Sequence, residues 1–282
     1  MKIPWWGKIV AKLILSRLPF RYTFWQRLGL FRHGQMDNNK YAIKVFNDHV
    51  DKAGLTNCLQ GKTILEIGPG DSISSAIIAT AYGARVVFVD AGFYLTNDIS
   101  LYRELQNVLR EQGFSLPAAL LKCSTIEGIL ECCNAIYLTK GLESFKQIEH
   151  NSIDLVFSQA VLEHVRKHEF LETMRECKRI LKPNGISSHQ IDLRDHLGGA
   201  LNNLRFSERL WESDFFTKSG FYTNRIQFSQ MLNVFDKVGF SVESKIVERW
   251  NVLPTPREKL SIEFQDVKDN ELCVAVFDVL LR

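Results

Sequence analysis

The chain has 282 residues, 45% hydrophobic and 24% charged, a composition that excludes disordered and fibrous classes and suffices to bury a sizeable core. Its formal net charge of +3 is too small to argue for a nucleic-acid partner. Cys58, Cys123, Cys132, Cys133, Cys177 and Cys273 show no CxxC pair and no metal-finger spacing, as expected in a reducing cytoplasm, and no run approaches the about 20 apolar residues of a membrane span.

The charge is unevenly placed. Every charged residue before Asp37 is basic: Lys2, Lys8, Lys12, Arg17, Arg21, Arg27 and Arg32. Between Trp5 and Leu18 the residues Trp6, Ile9, Val10, Leu13, Ile14 and Leu18 recur at helical spacing, which predicts an amphipathic helix ended by Pro19. Lys12 interrupts its apolar run and no small-residue cleavage site follows, so it is not read as a signal peptide. Two uses fit such a helix: a cap packed on the body, or a peripheral contact with a membrane surface through residues 1–36, on the inner face. A second helix is expected from Tyr41 to about Ala53, giving a helical N-terminal cap over 1–57.

From residue 58 onward an apolar strand run alternates with a helical pattern, which predicts an α/β fold with parallel strands and crossover helices. The strand runs are "TILEI", "RVVFVD", a weaker "AIYLT", "IDLVFS" and "GISSHQIDL"; helices are expected at Ser72–Tyr82, Ile99–Gln112 and Phe170–Leu181. The "LKPNG" run is read as a helix stop, because Pro183 cannot continue the helix and Gly185 tolerates a turn. "FSQMLNVFDKVGF" reads as a helix with a glycine stop, followed by "SVESKIVERW" and "LCVAVFDVLL" as strands.

The stretch "TILEIGPGDSISS" sets a glycine turn between a strand and a helix, which brings backbone N–H groups close to a ligand. Asp90 ends the next strand run, where an acid accepts both hydroxyls of a ribose. A dinucleotide fingerprint would have a third glycine where Ile73 stands, and Pro69 and Asp71 do not suit a pyrophosphate, so a nicotinamide oxidoreductase is disfavoured and an adenosine-type ligand without phosphates fits better.

With those residues stated, the chain resembles the class I S-adenosylmethionine-dependent methyltransferases over roughly Gly61 to Asp192. "ILEIGPGD", "VVFVDAG", "NSIDLVFSQAVLEHV" and "MRECKRILKPNGI" are similar to four of the family's motifs in the family's order. The resemblance implies a Rossmann-like, doubly wound, mostly parallel seven-stranded sheet over 58–282, with a lid-like insertion at about 195–228. It also implies S-adenosyl-L-methionine as cofactor. Glu66, Gly68 and Gly70, with Pro69 between the glycines, would hold its methionine end. Asp90, followed by Ala91, would hold the ribose, and Gln159 would lie by the ammonium or the transferred methyl. The family's adenine-binding acid falls at Leu142, so Glu143 is its substitute.

Methyl transfer is an in-line displacement, for which a protein positions the acceptor and, for a hydroxyl, supplies a base. Open parallel sheets bind ligands at strand C-termini. "SHQIDLRDH" crowds polar groups at one such end; alternation sets His189, Ile191 and Leu193 on one face and Gln190, Asp192 and Arg194 on the other. His189 or Asp192 is the expected base, with His164 a further catalytic candidate. Arg194, His196, Arg205, Tyr222 and Arg225 are the expected substrate contacts, while Phe206, Trp211 and Phe221 are read as a small core of the insertion. Glu163 and His164 are not read as a metal site: adjacent helical residues do not share a face, and Ala160 stands where a further acid would be needed. The expected acceptor is a saccharide, a lipid-linked intermediate or a small metabolite. A binding module without turnover on the same fold is the alternative.

Overall fold

The computed structural model describes residues 4–15 and 35–282. Pro19, Leu18 and the basic residues Lys2, Arg17, Arg21, Arg27 and Arg32 lie outside these. In chain order the elements that frame the site are α1 (Trp5–Leu15), α2 (Asn39–Lys52), β1 (Thr63–Ile67), α3 (Ser74–Ala81), β2 (Arg85–Val89), α4 (Ile99–Glu111), α5 (Ile126–Cys132), β3 (Ile136–Leu138), α6 (Leu142–Phe145), β4 (Ile153–Gln159), α7 (Phe170–Ile180) and β5 (Leu181–Asp192). They are followed by α8 (Glu208–Trp211), α9 (Asp214–Thr217), α10 (Phe228–Val238), β6 (Val242–Arg249) and β7 (Val274–Leu281).

Among the described residues the strands form one seven-stranded sheet in the order β3-β2-β1-β4-β5-β7-β6. β1 pairs in parallel with both β2 and β4, and β2 with β3. The order reverses at β1 and β4, which places the carboxyl ends of those strands at the topological switch point of a doubly wound sheet. The sheet is the α/β architecture expected from the alternating strand and helix runs, in the Rossmann-like form that the resemblance implied.

The chain divides into two compact units, with α1, Ala160–Leu171 and Gln190–Val279 in one and residues 35–159, Glu172–His189 and Leu280–Arg282 in the other. The second holds the larger core: Ile64, Ile73, Ile77, Val86, Phe88, Tyr102, Leu105, Leu155 and Phe157 pack with Val45, Phe46 and Val50 of α2. Three of its helices start on side-chain caps, Asn38 accepting from the Tyr41 N–H, Asp98 from Ser100 and Thr125 from Gly128, which satisfy donors the first turn leaves open. At the amino ends of its strands Asp154 accepts from the Thr63 N–H at 2.9 Å and pairs with Lys62 and Lys182 at 3.0 and 2.6 Å.

In the first unit, Ile9 of α1 packs with Leu197, Trp211, Phe216, Phe221 and Tyr222, joined by Trp5, Leu13 and Phe206. This is the aromatic core expected for the insertion. The Trp211 indole N–H donates to the Thr223 carbonyl at 2.7 Å, so the ring is anchored at its polar edge as well. α10 ends at Gly239, whose φ of +92° is the left-handed conformation of a helix stop. No described helix is long and apolar enough to cross a membrane.

One element starts elsewhere than expected. β5 begins at Leu181, so "LKPNG" belongs to the strand rather than forming a turn after the helix. Gly185 is there for space: a Cβ at this position would lie 2.9 Å from Leu181 Cδ2 and 3.0 Å from the Ile153 and Lys182 carbonyl oxygens.

Candidate functional site

The turn after β1 is built on Gly68 and Gly70, whose φ values of +66° and +67° are strained for any residue with a Cβ. Gly68 donates its N–H to the Val89 carbonyl at 2.8 Å, which ties the turn to the end of β2. Asp90 then locks it: its carboxylate accepts from the Gly70 N–H at 3.3 Å and from its own neighbour Ala91 at 2.7 Å, while its carbonyl accepts from the Gly141 N–H at 2.8 Å. Pro69 and Gly70 are buried and Ala91 is exposed.

The pKa values of Glu66 and Asp90 are both raised, chiefly by burial. Burial pushes the Asp90 carboxyl up to about 6, the Ala91, Gly70 and Gly92 amides offsetting part of the rise and Asp71 adding to it. Burial likewise pushes Glu66 up to about 8; the Ser75 hydroxyl nearby offsets a little and the Asp90 charge adds. Glu66 Oε2 and Ser75 Oγ nevertheless make no hydrogen bond. Two buried carboxyls with spare accepting capacity at a glycine turn favour a ligand bearing hydroxyl donors and a cation.

The aromatic group beside Asp90 was not anticipated from sequence. Phe93 is 57% exposed with its ring centroid 5.7 Å from that of Tyr137, and the Tyr137 hydroxyl donates to the Gly92 carbonyl at 3.1 Å. The end of the Tyr94 side chain lies over Gly92, where a Cβ would come 2.9 Å from it. The signal was present as "GFY" directly after the ribose-type acid. Glu143 requires a correction: it is 63% exposed and paired with Lys146 at 2.7 Å, a helix-surface ion pair rather than an acid turned to a buried ligand.

At the end of β4, Gln159 Oε1 lies 3.1 Å from His49 Nε2, whose Nδ1 lies 2.8 Å from the Ser188 hydroxyl. His49 is 1% exposed and its ring stacks on Phe157 at 5.0 Å, so α2 supplies a buried positioner for Gln159 that a lone histidine in an apolar pattern did not announce. The His189 assignment as base is corrected by the same region. Its ring is 1% exposed, Nδ1 lies 2.7 Å from Ser158 Oγ and Nε2 2.6 Å from Ser187 Oγ, leaving neither nitrogen to meet a substrate. Burial, aided by His49, lowers its pKa to about 3, so the ring stays neutral. Ile191, which alternation sets on the same face, is likewise buried.

The remaining candidates belong to the first unit. Ala160, directly after Gln159, takes a φ of +53°, an uncommon conformation for a residue with a Cβ. Residues 162–165 then form a turn, not a helix. This turn, together with the loop after β5, brings Glu163, His164 and His196 together, with one ligating atom from each within 4.8 Å of the others. The His164 and His196 rings stack at 4.7 Å. Because a carbonyl can only accept, His164 Nδ1, 2.7 Å from the Tyr222 carbonyl oxygen, carries a proton. Glu163 is 1% exposed and neither carboxylate oxygen has a hydrogen-bond partner. Burial holds its pKa well above the ordinary value; the Glu163 and Asp192 amides nearby offset part of this without reaching hydrogen-bond geometry, and the Asp192 charge adds to it. The His196 ring keeps exposed surface, yet the protein around it lowers its pKa, with Lys12 of α1 assisting and Asp192 and Asp195 opposing.

Four of the expected contacts are held in place by the protein itself. Arg194 forks onto Asp192 with contacts of 2.7 to 3.1 Å and reaches Glu248 at 3.0 Å, so Asp192 and Arg194 neutralise each other instead of offering a base and an anion site. The Arg225 side chain is 0% exposed and spends its guanidinium on the Asn203 and Phe206 carbonyls and on Glu208 at 2.7 Å. Tyr222, 5% exposed, has its hydroxyl on Glu212 and the Lys167 N–H. Arg205 donates to Asn202 and lies over the Trp5 ring at 4.9 Å. Burial and packing explain these residues.

Residues 124–188, which span β3 to β5, match the methyltransferase domain family. No curated protein matches the chain by sequence. Among solved structures it is similar to phosphoethanolamine N-methyltransferase 2 of Haemonchus contortus, with 19% identity and a TM-score of 0.42 over 79% of this chain and 48% of that one. The chain thus spans about half of that protein's length. It is also similar to an S-adenosylmethionine-dependent methyltransferase of Archaeoglobus fulgidus, with 12% identity and a TM-score of 0.44 over 85% and 93% of the two chains. A third is the S-adenosylmethionine-dependent methyltransferase of Mesorhizobium loti, with 15% identity and a TM-score of 0.43 over 83% and 100%. The family match covers residues 124–188; beside it stand the sheet order with its switch point at β1 and β4 and a left-handed glycine turn closed by the acid of β2.

Proposed function

We propose that the protein transfers the methyl group of S-adenosyl-L-methionine to an oxygen of a saccharide, a lipid-linked intermediate or a small metabolite. The observation that carries the cofactor part is Asp90: a buried carboxylate at the end of β2, fixed on the Gly70 N–H, with its pKa raised toward neutrality. In this reading Asp90 accepts the ribose hydroxyls and Phe93 offers an exposed ring to the adenine. Glu66 and the glycine turn take the methionine end, and Gln159, held by His49, orients the ammonium. Catalysis is then positioning and exclusion of water around an in-line displacement. With both ring nitrogens of His189 taken up by serines, it does not serve as the base for a hydroxyl acceptor. Calorimetric titration with S-adenosylmethionine and S-adenosylhomocysteine is expected to give saturable binding with one ligand per chain, and nicotinamide dinucleotides none. Absence of binding by both sulfur nucleotides would sink the reading and leave a binding module without this cofactor.

A second reading concerns α1, which we place on the inner face of a membrane as a peripheral contact of a cytoplasmic enzyme. Its support is that Trp5, Ile9 and Leu13 face the aromatic core of their own unit, while Trp6, Val10 and Ile14, four residues apart, are 60%, 52% and 59% exposed beside lysines. An apolar stripe flanked by cations is what an interfacial helix presents. The wild type is expected to sediment with vesicles containing anionic lipid, and Trp6→Ser combined with Ile14→Ser to remain in the supernatant. Equal sedimentation of both proteins would remove α1 from the membrane.

A further inference from the structure

We infer that Glu163, His164 and His196 form a binding site for a divalent first-row transition ion, of which Zn²⁺ is the reference. On a helix, neighbours such as Glu163 and His164 would diverge by about 100° around the axis. In the structure the two residues sit in a turn, and His196 arrives from the loop after β5, so one carboxylate and two imidazoles converge with their donor atoms within 4.8 Å.

The independent observation is the carboxylate. Glu163 is buried to 1% exposure, and neither of its oxygens is hydrogen-bonded, a state that costs folding energy unless something outside the chain satisfies it. An arginine is close, but Arg194 is forked onto Asp192 and Glu248. His164 Nδ1 donates to the Tyr222 carbonyl at 2.7 Å, the kind of outer-shell contact that orients metal-bound imidazoles in general. Two nitrogens and one carboxylate oxygen favour a borderline ion such as Zn²⁺, Co²⁺ or Fe²⁺ over Mg²⁺ or Ca²⁺, which prefer all-oxygen sets. Three protein ligands leave a coordination position for water or for an oxygen of a bound molecule. Asp192 and Asp195 add negative charge near the site, and Lys12 opposes it from α1.

The binding claim stands apart from the methyl-transfer reading. Chelator-treated full-length protein is titrated with Zn²⁺ by calorimetry and with Co²⁺ by absorption. One ion per chain is expected at micromolar concentration, with ligand-field bands of a nitrogen and oxygen set. Glu163→Gln and His196→Ala should each weaken binding by more than the roughly 10- to 100-fold typical of outer-shell changes. His196 keeps exposed surface, so its replacement tests the site even if the buried Glu163 variant fails to fold. The inference is overturned by absence of saturable binding, by wild-type affinity in His196→Ala, or by sulfur-to-cobalt charge-transfer bands, which would assign the ion to Cys123 and Cys132, whose sulfurs lie 3.2 Å apart. S-adenosylmethionine binding measured on the same samples separates failure of this site from failure of the cofactor reading.

Discussion

Replacing Asp90 with asparagine is expected to weaken S-adenosylmethionine binding about 100-fold, or about 2.7 kcal/mol, the loss of two hydrogen bonds to a charged acceptor. The side chain keeps its shape, and its oxygen can still accept from the Gly70 or Ala91 N–H, so the turn should survive. What disappears is the charge. The free protein holds the Asp90 carboxyl at about 6, chiefly because it is buried. In the proposed reading, ribose hydroxyls and a nearby sulfonium would favour the ionised form, so binding would expel the proton wherever it is present. Wild-type affinity should therefore be flat above about pH 7 and fall toward tenfold per unit below 6, whereas Asp90→Asn should lose that dependence. Calorimetry between pH 5 and 8 in buffers of different ionisation enthalpy reads both the affinity and the released proton. Unchanged affinity in the variant, with the same pH profile as the wild type, would remove Asp90 from the site.

The sheet was legible because its central strands are buried on both faces and bounded by glycine or polar turns. The runs at Thr63, Arg85 and Ile153 start where the structure starts β1, β2 and β4. The glycine turn was legible for a related reason, since a positive φ at Gly68 and Gly70 excludes almost every other residue. Side-chain fates were harder. Nothing local distinguishes Arg225, which ends on Glu208 and two carbonyls, from an arginine aimed at a substrate; its partners are set by how the segment folds back. His189 was misread because polarity at a strand end was weighed above strand alternation, although two serines suffice to satisfy a buried imidazole. The Glu163, His164 and His196 group needed tertiary structure, since the loop that delivers His196 follows a different strand. Its first two members looked divergent only under an assumed helix.

Glu66 gives the second large effect, and it has the opposite sign for stability and for binding. Its carboxyl is raised from 4.5 to about 8 in the folded chain, chiefly by burial, so the folded state holds a proton that the unfolded state has released. The protein therefore loses stability as pH rises through the window from 4.5 to about 8, and the loss is complete above it. Glutamine keeps the volume and removes the ionisation. Glu66→Gln without ligand is thus expected to match the wild type near pH 5 and to exceed it increasingly toward pH 8, by on the order of 3 kcal/mol, or roughly 5 to 10 °C in melting temperature. The same substitution should weaken S-adenosylmethionine binding, because the neutral amide cannot answer the cationic end of the ligand. Thermal melts at several pH values, with and without S-adenosylmethionine, measure both arms at once. A variant that melts below the wild type at pH 8 would mean that the carboxylate is already satisfied in the free protein, and Glu66 would then be a structural acid rather than one stored for a ligand.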